Sequence, residues 1–458
     1  MAKALKTSYV CSECGHREPK WTGKCPDCGA WDSFIEETVS VPTETGRTSA
    51  PMKSLSAVPL NDISFKDESR YKTGLNELDR VLGGGIVKGS LILLGGDPGV
   101  GKSTILLQIC EYLGQALSIL YVSGEESRRQ IKIRASRLGV SSASLSILTE
   151  TDILSIADYI EKSSPDIVII DSIQTMNMSA LSSSPGTVAQ VRECTSVLQR
   201  AAKALDIPIF VVGHVNKDGN IAGPKVLEHI VDVVLYLEGD RGLSYRMLRA
   251  VKNRYGATNE IGVFEMSDSG LEEVLNPSEM LLSGRPVNTA GSCVACVMEG
   301  TRPILAEVQA LVSKTGFGNP RRVATGFDYN RLNLILAILE KRAGYYFSNL
   351  DVYVNVVGGF RLDEPAADLT VALSLMSGML DIVIPEDIIA FGELGLAGET
   401  RAVNNTASRI AEAKRLGFKK CIIPVNNLKK LEMQQFSGIE VIGVKTIGDV
   451  LPIIRGTK

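Results

Sequence analysis

Long apolar runs are missing from this chain. No stretch of its 458 residues reaches the roughly 18 consecutive apolar residues that a spanning helix needs, so a membrane-crossing segment is excluded. The lysines near the N-terminus are not followed by an apolar core, which argues against a secretory leader. Excess charge of one sign is missing too. With 49 Lys and Arg against 52 Asp and Glu the net charge is −3, which excludes a strongly basic nucleic-acid wrapper but leaves room for a local basic stripe. No internal repeat occurs, so the chain is not a solenoid. A disulfide framework is also absent: of nine cysteines, Cys11, Cys14, Cys25 and Cys28 crowd the first 30 residues and the rest are scattered. In a chain expected to stay in the cytoplasm, that distribution means a metal site plus buried thiols.

What is present is a globular composition, 44 % hydrophobic and 22 % charged, long enough for two or three domains. Residues 1–35 form a small cysteine-bearing unit, and 36–60, rich in Thr, Ser, Pro and Glu, form a flexible linker that buries too little surface to fix itself. Residues 61–283 alternate apolar β-branched runs (91–94, 119–122, 167–170, 209–212, 233–237) with amphipathic stretches. That texture predicts a parallel sheet covered by helices on both faces, closed by antiparallel strands over 245–252 and 262–266. Residues 284–458 predict a second α/β domain, with strands near 292–298, 304–312, 352–357 and 421–425. Its helices are expected near 332–342, 366–379, 406–416 and 446–454. The fold class is α/β throughout.

Cys11-Ser-Glu-Cys14-Gly and Cys25-Pro-Asp-Cys28-Gly are two knuckles in which paired thiolates converge on one cation. Four soft ligands in a tetrahedron describe a structural Zn²⁺ site, with iron in a rubredoxin-like site as the alternative. Cys293 and Cys296, three apart on a predicted strand, point to opposite faces and read as core thiols.

Gly96-Asp97-Pro98-Gly99-Val100-Gly101-Lys102-Ser103-Thr104 follows an apolar strand and opens a helix. This is a phosphate-binding loop: its glycines let backbone N–H groups wrap an ATP, Lys102 reaches the β/γ-phosphates and Ser103 coordinates Mg²⁺. Asp171, ending the run Ile167–Ile170, is the acidic partner of the Mg²⁺ shell. Glu125 and Glu126 end another strand; Glu125 is the expected carboxylate for the attacking water, with helix capping as the plain alternative for both. His214, just after the strand at 209–213, is open between a γ-phosphate sensor and a packed polar group.

Thr73-Gly-Leu-Asn-Glu-Leu-Asp-Arg-Val-Leu-Gly-Gly-Gly85, leading into the loop, resembles the RecA/KaiC-type ATPase core. With the cysteine knuckles in front and Lys252-Asn253-Arg254-Tyr255-Gly256 behind, the chain resembles the RadA (Sms) family of bacterial DNA repair proteins over essentially its whole length. That family has Phe where Tyr255 stands here. The resemblance implies that Lys252 and Arg254 act on a neighbouring subunit's ATP, because this core shows no second cis arginine in an obvious place. It also implies a hexameric ring in the cytoplasm, working at the nucleoid on single-stranded DNA and branched recombination intermediates, with the RecA recombinase as a partner. DNA is expected at two loops: Met176–Thr187, and Asn216–Lys225, whose Lys217 and Lys225 pair with phosphates; Lys252 and Arg254 are further candidates. The basic cluster Arg128, Arg129, Lys132, Arg134 and Arg137 reads as a solvated helix face, and Lys314–Arg322 as a weaker DNA candidate. The alternative function is a nucleotide-switched, KaiC-like assembly that changes partners without translocating.

From about Arg285 the chain resembles the proteolytic domain of Lon proteases, on Asp363–Thr370 and Gly392–Arg401. Ala366 stands where the Lon family has its serine, and Ala407 aligns with its lysine. Without hydroxyl and amine, that mechanism is excluded, and an oligomerisation and DNA-contact platform is expected instead.

Overall fold

The computed structural model describes residues 5–11, 16–27, 29–40, 59, 70–213, 227–239, 245–316, 318–432 and 436–455. The chain divides into two compact units, Met1–Val274 and Leu275–Lys458.

The first unit begins with three antiparallel strands, in the order Arg17–Glu18, Leu5–Cys11, Phe34–Ser40. Leu5 pairs with Ser40 and Cys11 with Phe34, so the cysteine-bearing unit runs past the expected limit at 35 and takes in the start of the expected linker. The ladder's backbone hydrogen bonds order Glu36–Ser40, and composition carries no sign of them.

The main sheet of this unit has nine strands. From one edge to the other they are Gly270–Glu273, Ile261–Ser267, Tyr245–Asn253, Val233–Glu238, Leu91–Gly96, Ile209–Val212, Ile167–Asp171, Ile119–Ser123 and Leu145–Thr149. The six from Val233–Glu238 onward are mutually parallel, and the other three close the sheet as an antiparallel edge. Every residue of Leu91–Gly96 and Ile167–Asp171 is buried because both faces are covered. Ile92, Leu94, Ile167 and Ile169 enter one core with the helix Lys102–Leu113, while Leu91, Leu93, Val168 and Ile170 enter the other with Val188–Leu205. The period of two thus explains why these strands read as unbroken apolar runs.

The second unit is a seven-stranded mixed sheet, in the order Arg322–Thr325, Leu350–Val356, Arg302–Lys314, Ser292–Glu299, Ile388–Ala390, Lys420–Pro424, Glu440–Val444. Its boundary falls ahead of the expected 283/284. The helix Pro277–Leu282 belongs to it because the buried Ser278 hydroxyl accepts from the Leu305 N–H at 3.1 Å and donates to Glu412 at 3.1 Å. Among the described residues no helix is long and apolar enough to cross a membrane.

Candidate nucleotide site and metal centre

Open parallel sheets carry their sites where the strands end, beside a reversal of strand order. The strand Leu91–Gly96 lies two places from Ile167–Asp171, with Ile209–Val212 between them, so Gly96 and Asp171 both end at one edge. Gly96 (φ 148°) turns the chain where a Cβ would stand 2.4 Å from the Leu237 carbonyl; only glycine fits. Gly101 (φ 116°) forms the N-cap of the helix that Lys102 begins, under Met266 and Leu271. Lys102 is buried, and its Nζ donates to the Gly96 carbonyl at 2.6 Å and the Asp97 carbonyl at 2.9 Å. Burial pushes this ammonium down to about 8, against the pull of Asp171, Asp97 and Glu125. Ser103 and Thr104 are half-buried at the helix start. Backbone donors, a helix N-terminus and a cation meet here, the equipment of an anion cradle.

Asp171 is buried and accepts a hydrogen bond from the Tyr121 hydroxyl on the adjoining strand. The Asp171–Ser172 peptide is cis. The Ser172 hydroxyl donates to Glu125 Oε1 at 2.5 Å, bringing Glu125 beside the end of that strand while leaving it exposed. Glu126 is committed elsewhere, to an ion pair with Arg134. The capping alternative does not hold, because the helix Arg128–Arg137 is capped by Ser127 in a reciprocal box with Gln130. Glu125, Glu126, Arg128, Arg129 and Thr149–Thr151 line an open cleft of about 800 Å³. Arg128, Arg129, Lys132 and Arg137 are exposed along the helix, as a solvated face would be.

Lys252 and Arg254 stand at the opposite end of the sheet. Asn253 pairs with Val233, which pairs with Ile92, whereas Gly96 pairs with Leu237. Four strand residues, about 13 Å at 3.3 Å each, separate that level from their own loop. Lys252 Nζ donates to the carbonyls of Glu228 (2.5 Å) and Val231 (2.9 Å), and burial together with the Arg254 charge lowers its pKa. Arg254 Nη1 lies 3.0 Å from Asp232 Oδ1 and is about half exposed, at 53 %. The two segments singled out in the sequence meet here: Arg70 bridges the carbonyls of Gly83 and Tyr255, and a Cβ on Gly256 would come 2.9 Å from the Gly83 Cα.

Three supporting residues escaped the sequence. Tyr121 sits inside an apolar run, and nothing in its context points to Asp171. Arg246 is a buried charge on a strand, a usable signal; its Nε donates to the Val100 carbonyl at 3.2 Å and holds the loop from beneath. Asp232 is fully buried immediately before a strand.

His214, the sensor candidate, and Lys217 and Lys225 of the DNA candidates lie outside the described residues. Met176–Thr187 is described, carries no cation, and is pinned by the buried Gln190, which accepts from Met178 N at 2.8 Å and donates to the Ser183 carbonyl at 2.8 Å. Arg322 is spent on the carbonyls of Phe347 (2.6 Å) and Leu350, which weakens Lys314–Arg322 further.

In the cysteine unit, Cys14 and Cys28 lie outside the described residues. Cys11 and Cys25 are buried together with Phe34, and the half-buried Tyr9 packs against them. Cys25 N donates to the Ala30 carbonyl and Gly29 N to the Cys25 carbonyl, a tight turn with Gly29 at φ 75°. Two buried thiols, one at a strand end and one on this turn, fit a sulfur-ligated metal. Both tryptophans of the chain flank this turn, Trp21 at 52 % and Trp31 at 74 % exposure. Cys293 and Cys296, by contrast, are fully buried in a strand, and burial pushes each thiol up to about 12, so they stay protonated core groups.

In the second unit Ala366 is buried and Ala407 exposed. Two residues from each, Glu364 and the fully buried Arg409 form an ion pair; Arg409 also donates to the carbonyls of Asn404 (3.0 Å) and Cys296. Ser374 donates to the carbonyls of Val308 and Thr370, and Ser377 accepts from Gly291 N, so both serines serve packing.

Residues 9–36 match the rubredoxin metal binding domain, 58–220 an AAA domain, and 330–427 subunit ChlI of Mg-chelatase. The DNA repair protein RadA of Bacillus subtilis is 51 % identical over 456 residues, covering 98 % of this chain and 99 % of that one. RadA of Halalkalibacterium halodurans is 52 % identical over the full length of both, and RadA of Listeria monocytogenes 50 % identical over 98 % of this chain and 99 % of its own. A solved RadB recombinase covers 44 % of this chain and 99 % of its own at 22 % identity, with a TM-score of 0.37. With cysteine knuckles, AAA/RecA-like core and Lon-like domain in one order from end to end, this chain belongs to the family of the DNA repair protein RadA.

Proposed function

We propose that this protein is a ring-forming, DNA-stimulated ATPase of recombination and repair, in which each nucleotide is bound by one subunit and its hydrolysis completed by the next. The observation that carries this reading is the placement of Lys252 and Arg254 at the sheet end away from their own loop, with Arg254 half exposed. Cations so placed serve a neighbour's γ-phosphate, where such groups are worth orders of magnitude in rate. Gly96–Thr104 wraps the phosphates of ATP, with Lys102 on the β/γ-phosphates. Ser103 and Asp171 hold Mg²⁺, which neutralises developing charge. Glu125, held beside the end of the Asp171 strand by the Ser172 hydroxyl, orients the attacking water.

Cys11, Cys14, Cys25 and Cys28 hold Zn²⁺, and the unit they fold engages a partner such as the RecA recombinase. Hydrolysis around a hexameric ring drives translocation on single-stranded DNA and branch migration of recombination intermediates in the cytoplasm. The Lon-like domain is a scaffold and not a protease, since neither Ala366 nor Ala407 supplies a hydroxyl or an amine. The test is ATP turnover with and without single-stranded DNA. DNA stimulation lost in Arg254→Ala, with nucleotide binding retained, supports the reading. A rate indifferent to DNA would favour the KaiC-like switch.

A further inference from the structure

Asp232 is fully buried, yet it touches three separate parts of the first unit. Its Oδ2 accepts from the Leu91 N–H at 3.1 Å and from Lys203 Nζ at 2.8 Å, and its Oδ1 faces Arg254 Nη1 at 3.0 Å. Its own N–H donates to the Leu91 carbonyl, and its carbonyl accepts from the Arg254 N–H. Leu91 begins the strand that ends in the phosphate-binding loop. Asp232 therefore joins the root of that strand to Arg254 twice, its carboxylate to the guanidinium and its carbonyl to the backbone N–H.

Burial alone would raise the pKa of this carboxyl, but the hydrogen bonds from Lys203 and Leu91 and the charges of Lys203 and Arg254 hold it below the usual range. It is a fixed negative charge at working pH. A long, half-exposed side chain loses rotamer freedom when it is held by such a partner, so the cost of ordering it is met before any neighbour docks.

We propose that Asp232 is the positioning residue for Arg254: it fixes the guanidinium against the central sheet so that the adjoining subunit's nucleotide meets a pre-set cation. This rests on the reading of Arg254 as a group acting in trans. Asp232 touches no substrate and acts only through Arg254.

Complementation separates this role from a general loss of structure. Asp232→Asn is expected to lose tenfold or more in kcat with nucleotide KM within twofold of the parent, and Asp232→Glu to recover part of the rate. Mixed one-to-one with Lys102→Ala, the Asn variant should regain about a quarter of the parent rate, the share of interfaces joining an intact loop to an intact cation. Mixed with Arg254→Ala it should regain none. Lys203→Met, which leaves Arg254 as the carboxylate's remaining cation, should lose clearly less turnover than Asp232→Asn.

An Asp232→Asn chain as active as the parent, beside an inactive Arg254→Ala, overturns this inference and leaves the trans reading standing. So does an inactive Asn variant that Lys102→Ala does not rescue, or an equal loss in Lys203→Met. If Arg254→Ala and Lys102→Ala themselves never complement, the trans reading fails and takes the role of Asp232 with it.

Discussion

The two large units treat their charged groups in opposite ways. In the first, Glu125 and Arg254 stay open to solvent, while Lys102 is buried against carbonyls of its own loop. In the second, beside Ala366 and Ala407, Arg409 is wholly enclosed and shared among Glu364, Asn404 and Cys296. In the first unit charge is left to be completed from outside; in the second the charges close on one another. The distinction lies in where the remaining hydrogen-bond capacity points, since both sites hold charged groups.

The comparison can be broken most forcefully at Glu125. Glu125→Gln keeps the shape and removes the base, so ATP turnover should fall about 10²–10⁴-fold with nucleotide affinity retained. A variant that keeps its rate in a steady-state phosphate-release assay would leave Glu125 no different from the enclosed charges of the second unit.

Next comes Glu364→Ala, which strands a buried guanidinium and should cost about 3–5 kcal/mol in the stability of the second unit. Scanning calorimetry reads this as a lowered transition. Pairing it with Arg409→Met should restore much of the loss, because an apolar replacement of both partners carries no orphaned charge. An unchanged melting profile would mean that the pair closes nothing.

The smallest effect is one of pH. With Lys102 held near 8 in the folded chain, below its ordinary 10.5, the unfolded chain keeps a proton between those values that the folded chain lacks. Stability of the ligand-free protein should thus rise with pH across that window. ATP affinity should move the other way, weakening by at most about tenfold per unit above pH 8, because phosphate binding needs the protonated amine. Titration with a fluorescent nucleotide from pH 7 to 9.5 checks this, and Lys102→Arg should flatten the profile. A flat profile in the parent would place Lys102 with the permanently charged groups.

Much of this architecture was legible in advance where burial is two-sided. The strands Leu91–Gly96, Ile119–Ser123 and Ile167–Asp171 announce themselves because both faces select apolar residues. Leu145–Thr149, Gly270–Glu273 and Glu440–Val444 went unread: they lie at or beside sheet edges, where exposed positions dilute the pattern. The loop glycines and Asp171 carry motif spacing, whereas Tyr121 and Asp232 act through partners 50 and 22 residues away, which only the folded chain brings together. Glu125 is preferred over Glu126 from the sequence alone, whereas the ion pair of Glu126 with Arg134 is visible only in the folded chain.

Trp21 and Trp31, half or more exposed beside the Cys25 turn, are the chain's entire indole content, set against twelve tyrosines. Emission excited at the red edge of the protein band therefore originates in the first forty residues alone. Metal loss, partner docking or proteolytic trimming of that segment can be followed optically in the intact protein, with the rest of the chain dark at that wavelength.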